Sequence, residues 1–162
     1  MTQGYKIAIP VFVLGFLAGA GFWYLFSPAF IDRVVSEELP AGLQLSETHI
    51  GQFRDVDGAH RGSGAVRVLS NAAGGTLLRF TEFEVTNGPD LEVWLVGNPD
   101  PQKSADVNAS QWVSLGPLRG NKGDQTYVVP EGTDMADWGS VVIWCEQFGV
   151  LFSVATLLPA EN

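Results

Sequence analysis

Gly64 to Thr81 reads GAVRVLSNAAGGTLLRFT, and this stretch decides the fold. Val66 and Val68 fall on one side of an extended chain and Arg67 on the other, because successive side chains of a strand point to opposite faces. Asn71-Ala72-Ala73-Gly74-Gly75 supplies the residues of a hairpin loop, after which Leu78 and Phe80 alternate with Arg79 and Thr81. Two alternating runs around such a loop predict an antiparallel hairpin with one buried face.

Toward the C-terminus the pattern repeats. Asn87-Gly88-Pro89-Asp90 turns the chain into Leu91 to Val96, and a long polar loop through Asn98-Pro99-Asp100-Pro101 leads to Trp112 to Leu115. Gly116-Pro117, Gly120 and Gly123 precede Gln125 to Val129, and Val141 to Cys145 with Val150 to Ala155 form a last pair. Short runs of Val, Leu, Phe and Trp between turn clusters, without repeat or heptad, predict an all-β, antiparallel β-sandwich-like single domain. It is expected over residues 46–158, with 159–162 as a tail.

Toward the N-terminus the grammar changes. Ile7 to Phe26 holds twenty residues without a charge, enough at 1.5 Å per residue to cross a hydrocarbon core of about 30 Å. Pro10 sits in the first turn, where a missing N–H is tolerated, and Phe22, Trp23 and Tyr24 resemble an interfacial aromatic belt. Lys6 precedes the span and Asp32 follows it, so the expected topology is single-pass in the cell membrane. Residues 1–6 would be cytoplasmic and the C-terminal domain extracytoplasmic. A cleaved signal peptide ending near Ala18-Gly19-Ala20 is the alternative, disfavoured because an apolar signal region runs only about 7 to 15 residues. Gly15 and Gly19 make one GxxxG pair, a weak signal for helix dimerisation. Ala29 to Glu38 places Phe30, Val34 and Val35 at helical spacing, so 27–45 reads as a short juxtamembrane helix and a linker through Leu39-Pro40-Ala41-Gly42.

Composition narrows the partners. In 162 residues, 46% are hydrophobic and 17% charged, below the roughly 25% charged of an average soluble domain, and ten Phe with five Trp argue against disorder. All 18 acidic residues lie from Asp32 onward with 8 of the 9 basic ones, which leaves −10 there. That balance excludes a nucleic-acid partner, which needs clustered Lys and Arg, and gives no attraction to anionic lipid.

Catalytic motifs are scarce. No Gly-x-Ser-x-Gly elbow, phosphate-cradling loop, His-Glu-x-x-His or Cys-x-x-Cys is present, which argues against an enzyme. Asp55-Val56-Asp57-Gly58 is a fragment of a calcium loop and offers Asp55 and Asp57 as metal ligands, although a solvated turn explains it too. His60, in a loop-like stretch, and Met135, beside Asp134, are candidate cofactor contacts, against the plainer readings of a solvated histidine and a gap-filling methionine.

Cys145 is the one thiol. Alternation puts it with Val141 and Ile143 on one face of a strand and Val142 with Trp144 on the other, so it is either a small core residue or a redox thiol. An unpaired thiol in an oxidising compartment invites the second reading, but one thiol alone cannot hold a two-electron disulfide equivalent and needs a thiol, metal or haem from a partner. In an apolar site, Cys145→Ser is expected to destabilise more than Cys145→Ala, because the hydroxyl would lack a partner.

These stretches carry a resemblance. His60-Arg61-Gly62-Ser63-Gly64, Asn87-Gly88-Pro89-Asp90-Leu91, Leu115-Gly116-Pro117-Leu118-Arg119-Gly120, Tyr127-Val128-Val129-Pro130 and SVVIWCEQF (Ser140 to Phe148) resemble, in order and spacing, the DM-thirteen domain family. That family occurs beside DOMON modules in Skeletor-type proteins and in membrane-anchored bacterial proteins. The resemblance implies a β-sandwich-like domain with a redox or electron-transfer accessory role, with Cys145 at the position of the family's redox cysteine and no cofactor named. The competing expectation is a non-enzymatic binding or adhesion module of the cell envelope, contacting a glycan or an envelope protein through residues such as Trp112 or Trp138. Exposure of Cys145 separates them: a thiol sealed behind Trp144 and Phe148 favours binding.

Overall fold

A computed structural model describes residues 3–27, 31–39, 42 and 44–161. The chain forms two compact units, one ending at Ile31 and the other beginning at Asp32. The first is helix α1, Gln3–Phe26, in which Ile7–Tyr24 has a mean hydropathy of 1.9 and no buried share. By length and composition α1 can cross a membrane, a property that a signal sequence shares. A Cβ on Gly15 or Gly19 would meet nothing within 4 Å, so packing inside this unit does not require either glycine.

The second unit is all-β. Its strands are β1 (Val34–Ser36), β2 (Ser46–Asp55), β3 (Gly62–Ser70), β4 (Thr76–Val85), β5 (Leu91–Val96), β6 (Trp112–Pro117), β7 (Lys122–Val128), β8 (Ser140–Cys145), β9 (Val150–Thr156) and β10 (Leu158–Pro159). They form one sheet in the order β1-β7-β4-β3-β2-β9-β8-β5-β6, with β10 added beside β2. β2 joins the halves: Ser46 to Gln52 pair with β3, whereas Phe53, Arg54 and Asp55 pair with β9. The sheet curls there, and the inner faces of both halves share one core. Val66, Val68, Leu78, Phe80 and Tyr127 meet Val93, Leu95, Val141, Ile143 and Ala155 in it. Phe53 sits at the bend, edge-on to Phe80 and Phe83 with ring centroids 4.9 Å away in each case.

The Gly64 to Thr81 reading corresponds to the β3–β4 hairpin, where Val66, Val68, Leu78 and Phe80 are fully buried. Its loop closes through Asn71, whose backbone and side chain both bind the Gly75 end. The outer face of β5, β8 and β9 is buried as well. Trp94, Val96, Val142, Trp144, Leu151 and Val154 form a second cluster closed by Val107 of α2 (Ser104–Asn108). This five-residue helix lies in the stretch expected to be a polar loop. Two buried faces are why SVVIWC reads as a continuous apolar run.

The expected juxtamembrane helix is corrected: among the described residues of Ala29 to Glu38 there is no helix, and Val34–Ser36 is a strand parallel to β7. Residues 29 and 30 of that expectation, and 40, 41 and 43 of the expected linker, lie outside the described residues. Tertiary contacts override the helical spacing. β-Branched Val34 and Val35 suit an extended backbone. Asp32 accepts 2.8 Å hydrogen bonds from the side-chain amides of Asn87 and Asn121 and pairs with Lys122 at 2.8 Å. Glu37 accepts from Arg119 and from the Thr126 N–H. Gly123, at φ 95°, lets the Val35 carbonyl approach where any Cβ would collide. The compact unit therefore starts at Asp32, ahead of the expected Ser46.

Candidate functional site

Cys145 ends β8 on the inner face, opposite Leu91 of β5 and Val150 of β9, with none of its surface exposed. Its thiol donates to the Pro89 carbonyl oxygen at 3.0 Å. Burial pushes the thiol pKa up, and the nearby Asp90 charge adds to this, against opposing backbone hydrogen bonds from Phe148 and Gln147. The sulfur is thus a protonated thiol at neutral pH.

Two turns cover it. Asn87 to Asp90 lies on one side and Glu146 to Gly149 on the other, tied by the Glu146 N–H to the Asp90 carbonyl at 3.0 Å. Gly88 is required in the first turn, since a Cβ there would lie 2.6 Å from the Phe152 ring. Asp90 takes φ 53°, a left-handed conformation that Asp tolerates better than most residues.

The other sequence-derived candidates sit apart from the thiol. Asp57 accepts from the Ala59 and His60 N–H groups and from His60 Nδ1 at 2.9 Å, closing the turn after β2. The His60 hydrogen bond leads the effects that lower the Asp57 pKa to about 2. His60 packs edge-on against Phe152, with centroids 4.5 Å apart. Asp55 instead caps the Gly62 N–H at 2.9 Å. Among the described residues no group of three or more His, Cys, Asp or Glu could hold a metal ion. Met135 lies in a 3-10 turn capped by Asp134, and both it and Trp138 are partly buried against the main core. No hydrogen bond joins Cys145, His60 and Met135. The structure brings Asp57 to His60, and leaves Cys145 and Met135 as separate parts of one core.

Sequence reasoning missed an assembly on the outer face of β6, β5 and β8. Trp112 stacks on Trp94 with centroids 4.0 Å apart and planes at 12°, and Trp94 stacks in turn on Trp144 at 5.1 Å. Trp94 and Trp144 are buried, whereas Trp112 is 49% exposed. Beneath the stack, Glu92 accepts from Trp94 Nε1 at 2.7 Å and from the Ser114 hydroxyl at 2.6 Å. It also shares a hydrogen bond with the Glu146 carboxyl. Burial alone would raise the Glu92 pKa, but the bonds from Ser114, Trp94 and Glu146 outweigh it and lower the value. Glu146 moves up, through its bond to Glu92 and the repulsion between the carboxylates. Alternation within β5 and β6 places Glu92, Trp94, Trp112 and Ser114 outward, yet only the pairing Trp94 with Ser114 and Val96 with Trp112 brings them together.

Neither a curated protein nor a solved structure matches this chain. One family model, described as electron transfer DM13, matches residues 52–157, well over half of the sequence. The match spans both core halves, the covered thiol and the tryptophan stack, and by it the chain belongs to the electron transfer DM13 family.

Proposed function

We propose that the protein is a single-pass membrane protein, N-terminus inside, whose extracytoplasmic β domain serves a redox partner as an electron-transfer accessory through Cys145. Membership in an electron transfer family carries this reading. The apolar length of α1 supports the anchor, and Lys6 just ahead of the span supports its orientation. Cys145 reacts with, or ligates, a group brought by the partner. If that group is a disulfide, the Cys145 sulfur loses its proton, bonds to one sulfur of that disulfide and releases the other as a thiol, which forms a mixed disulfide with no outside oxidant. Because the thiol is buried and protonated, the partner has to displace one of the two covering turns first. Surface turns open at lower free energy than core strands. Spectra and metal content of the full chain isolated from its membranes, in oxidised and reduced states, test the role of Cys145. A redox-dependent change or mixed disulfide present in the wild type and lost in Cys145→Ala supports it, and identical behaviour of the two proteins overturns it. Protease added to intact cells or spheroplasts tests the topology, which predicts loss of the domain with the N-terminus protected.

The sealed thiol favours a second reading, a binding module of the cell envelope with Cys145 as a core residue. Trp112 remains a candidate contact in that reading, whereas Trp138 packs against the core.

A further inference from the structure

We infer that the 146–149 turn is the lid of Cys145, opening by itself while the 87–90 turn stays in place. The inference rests on the accessory reading, in which one covering turn has to yield, and it names the one that does. The contrast between the two turns carries it. The 87–90 turn is tied into the rest of the domain. Asn87 donates through its side-chain amide to Asp32 at 2.8 Å, and Asp32 is itself held by Asn121 and Lys122. At the root of the turn the Thr86 N–H donates to the Arg61 carbonyl at 2.9 Å, and the Arg61 N–H donates to the Thr86 hydroxyl. Gly88 lies against the Phe152 ring and Leu91, so this turn is packed as well as bonded.

The 146–149 turn has few such ties. Glu146, Gln147 and Phe148 are all exposed, and the Phe148 ring, 65% open, does not anchor the turn in the core. A Cβ on Gly149 would meet only the Trp144 ring, at an ordinary 3.8 Å. The Gly149 N–H donates to the Cys145 carbonyl and so closes the turn on itself, whereas the Glu146 N–H reaches across to the Asp90 carbonyl. The Gln147 and Phe148 N–H groups add bonds to the sulfur, a weak acceptor. The Glu146 carboxyl shares a hydrogen bond with Glu92 of β5, but the charges of Glu92 and Asp90 oppose its own. Few buried apolar contacts and solvent-exposed backbone bonds mark a segment that opens at low free energy. Opening this turn uncovers the sulfur and leaves the Pro89 acceptor where it is.

Labelling of the full chain in neutral detergent with N-ethylmaleimide tests the inference, since Cys145 is the one thiol. Each rate is divided by that of the same chain unfolded in urea at the same pH, which gives the fraction of time the site is open. The wild type is expected to label through an opening that low urea concentrations hardly change, the sign of a local event that exposes little surface. Gly149→Ala puts a Cβ, without a clash, on a residue at φ 63°; it strains the closed turn and is expected to raise the rate about fivefold. Glu146→Gln keeps a donor for Glu92 and removes one charge of the pair, and is expected to lower the rate about two- to fivefold at pH 7. Asn87→Ala cuts the other turn from Asp32 and is expected to leave the rate unchanged. Labelling that tracks global unfolding, or a rise with Asn87→Ala as large as with Gly149→Ala, would overturn the inference. The reagent needs no partner, so the lid and the redox reading fail separately. Local opening with no partner-bound Cys145 in the membranes refutes only the redox reading. A mixed disulfide in the membranes, on a thiol that labels only through global unfolding, refutes only the lid.

Discussion

Replacing Cys145 by Ala and by Ser separates the sulfur's packing from its hydrogen bond. The thiol is fully buried and donates to Pro89. Alanine removes one heavy atom from a close-packed site and leaves the Pro89 carbonyl without its donor. Together the small cavity and the lost bond are expected to cost about 1 to 3 kcal/mol. Serine keeps a donor aimed at the same carbonyl and loses mainly the sulfur's apolar contacts, so its cost should be smaller, on the order of 1 kcal/mol. This order reverses the expectation drawn from sequence, because the strand pattern could reveal an apolar site but not an acceptor reaching it from the β4–β5 turn. For a domain of this size each kcal/mol moves the melting temperature by roughly 3 to 5 °C. Thermal unfolding of the full chain, followed by near-ultraviolet circular dichroism, should rank wild type above Cys145→Ser above Cys145→Ala. A serine variant that melts well below the alanine variant would refute the Pro89 hydrogen bond as a feature of the folded protein.

Further outcomes follow from the rest of the fold. Gly123→Ala should detach β1 from β7, costing on the order of 2 kcal/mol for the left-handed backbone and the clash with Val35, and hydrogen exchange at Val35 and Ser36 should accelerate. Asp32 is held down to about 2, first by its bond to Lys122, so its stabilising effect is present above the ordinary Asp range and is lost as pH falls toward 2. Asp32→Ala should accordingly loosen both β1 and the Asn87 turn at pH 7 and make little difference at pH 2, as read by hydrogen exchange. Glu146 has the opposite sign: a raised carboxyl pKa contributes stability at low pH that disappears as pH rises through the folded value. Glu146→Gln should therefore melt like the wild type near pH 4 and above it at pH 7, and equal melting at both values would count against the carboxyl pair.

The fold was largely legible where alternation and turn chemistry coincided. Val66, Val68, Leu78 and Phe80 announce their hairpin, and SVVIWC reads as a strand because both its faces are buried. β1 was hidden because Val34 and Val35 fit a helix as well as a strand. What decides between them is a set of partners, Asn87, Arg119, Asn121 and Lys122, more than fifty residues away in sequence. α2 was hidden because five residues with one buried side chain, Val107, leave no period to detect. Spacing alone puts Cys145 on the face of Val141 and Ile143, whereas that this face is the inner one, its two covering turns and its acceptor are matters of tertiary structure. The tryptophan stack needs three strands in register. Single-strand alternation gives each side chain's face, and the neighbours arise from pairings between β5, β6 and β8.

The central claim is that Cys145 exchanges electrons with, or ligates, a partner's group. Its most direct test is the state of that thiol in the full chain taken from its own membranes, quenched in acid, unfolded, alkylated and analysed by mass spectrometry. The account predicts either a fraction of molecules in which Cys145 is blocked as a disulfide to a second protein and recovered by a reductant, or a metal that copurifies with the wild type before the quench and not with Cys145→Ala. A free, fully alkylated Cys145 in every molecule, under both oxidising and reducing growth, with no such metal, would contradict it.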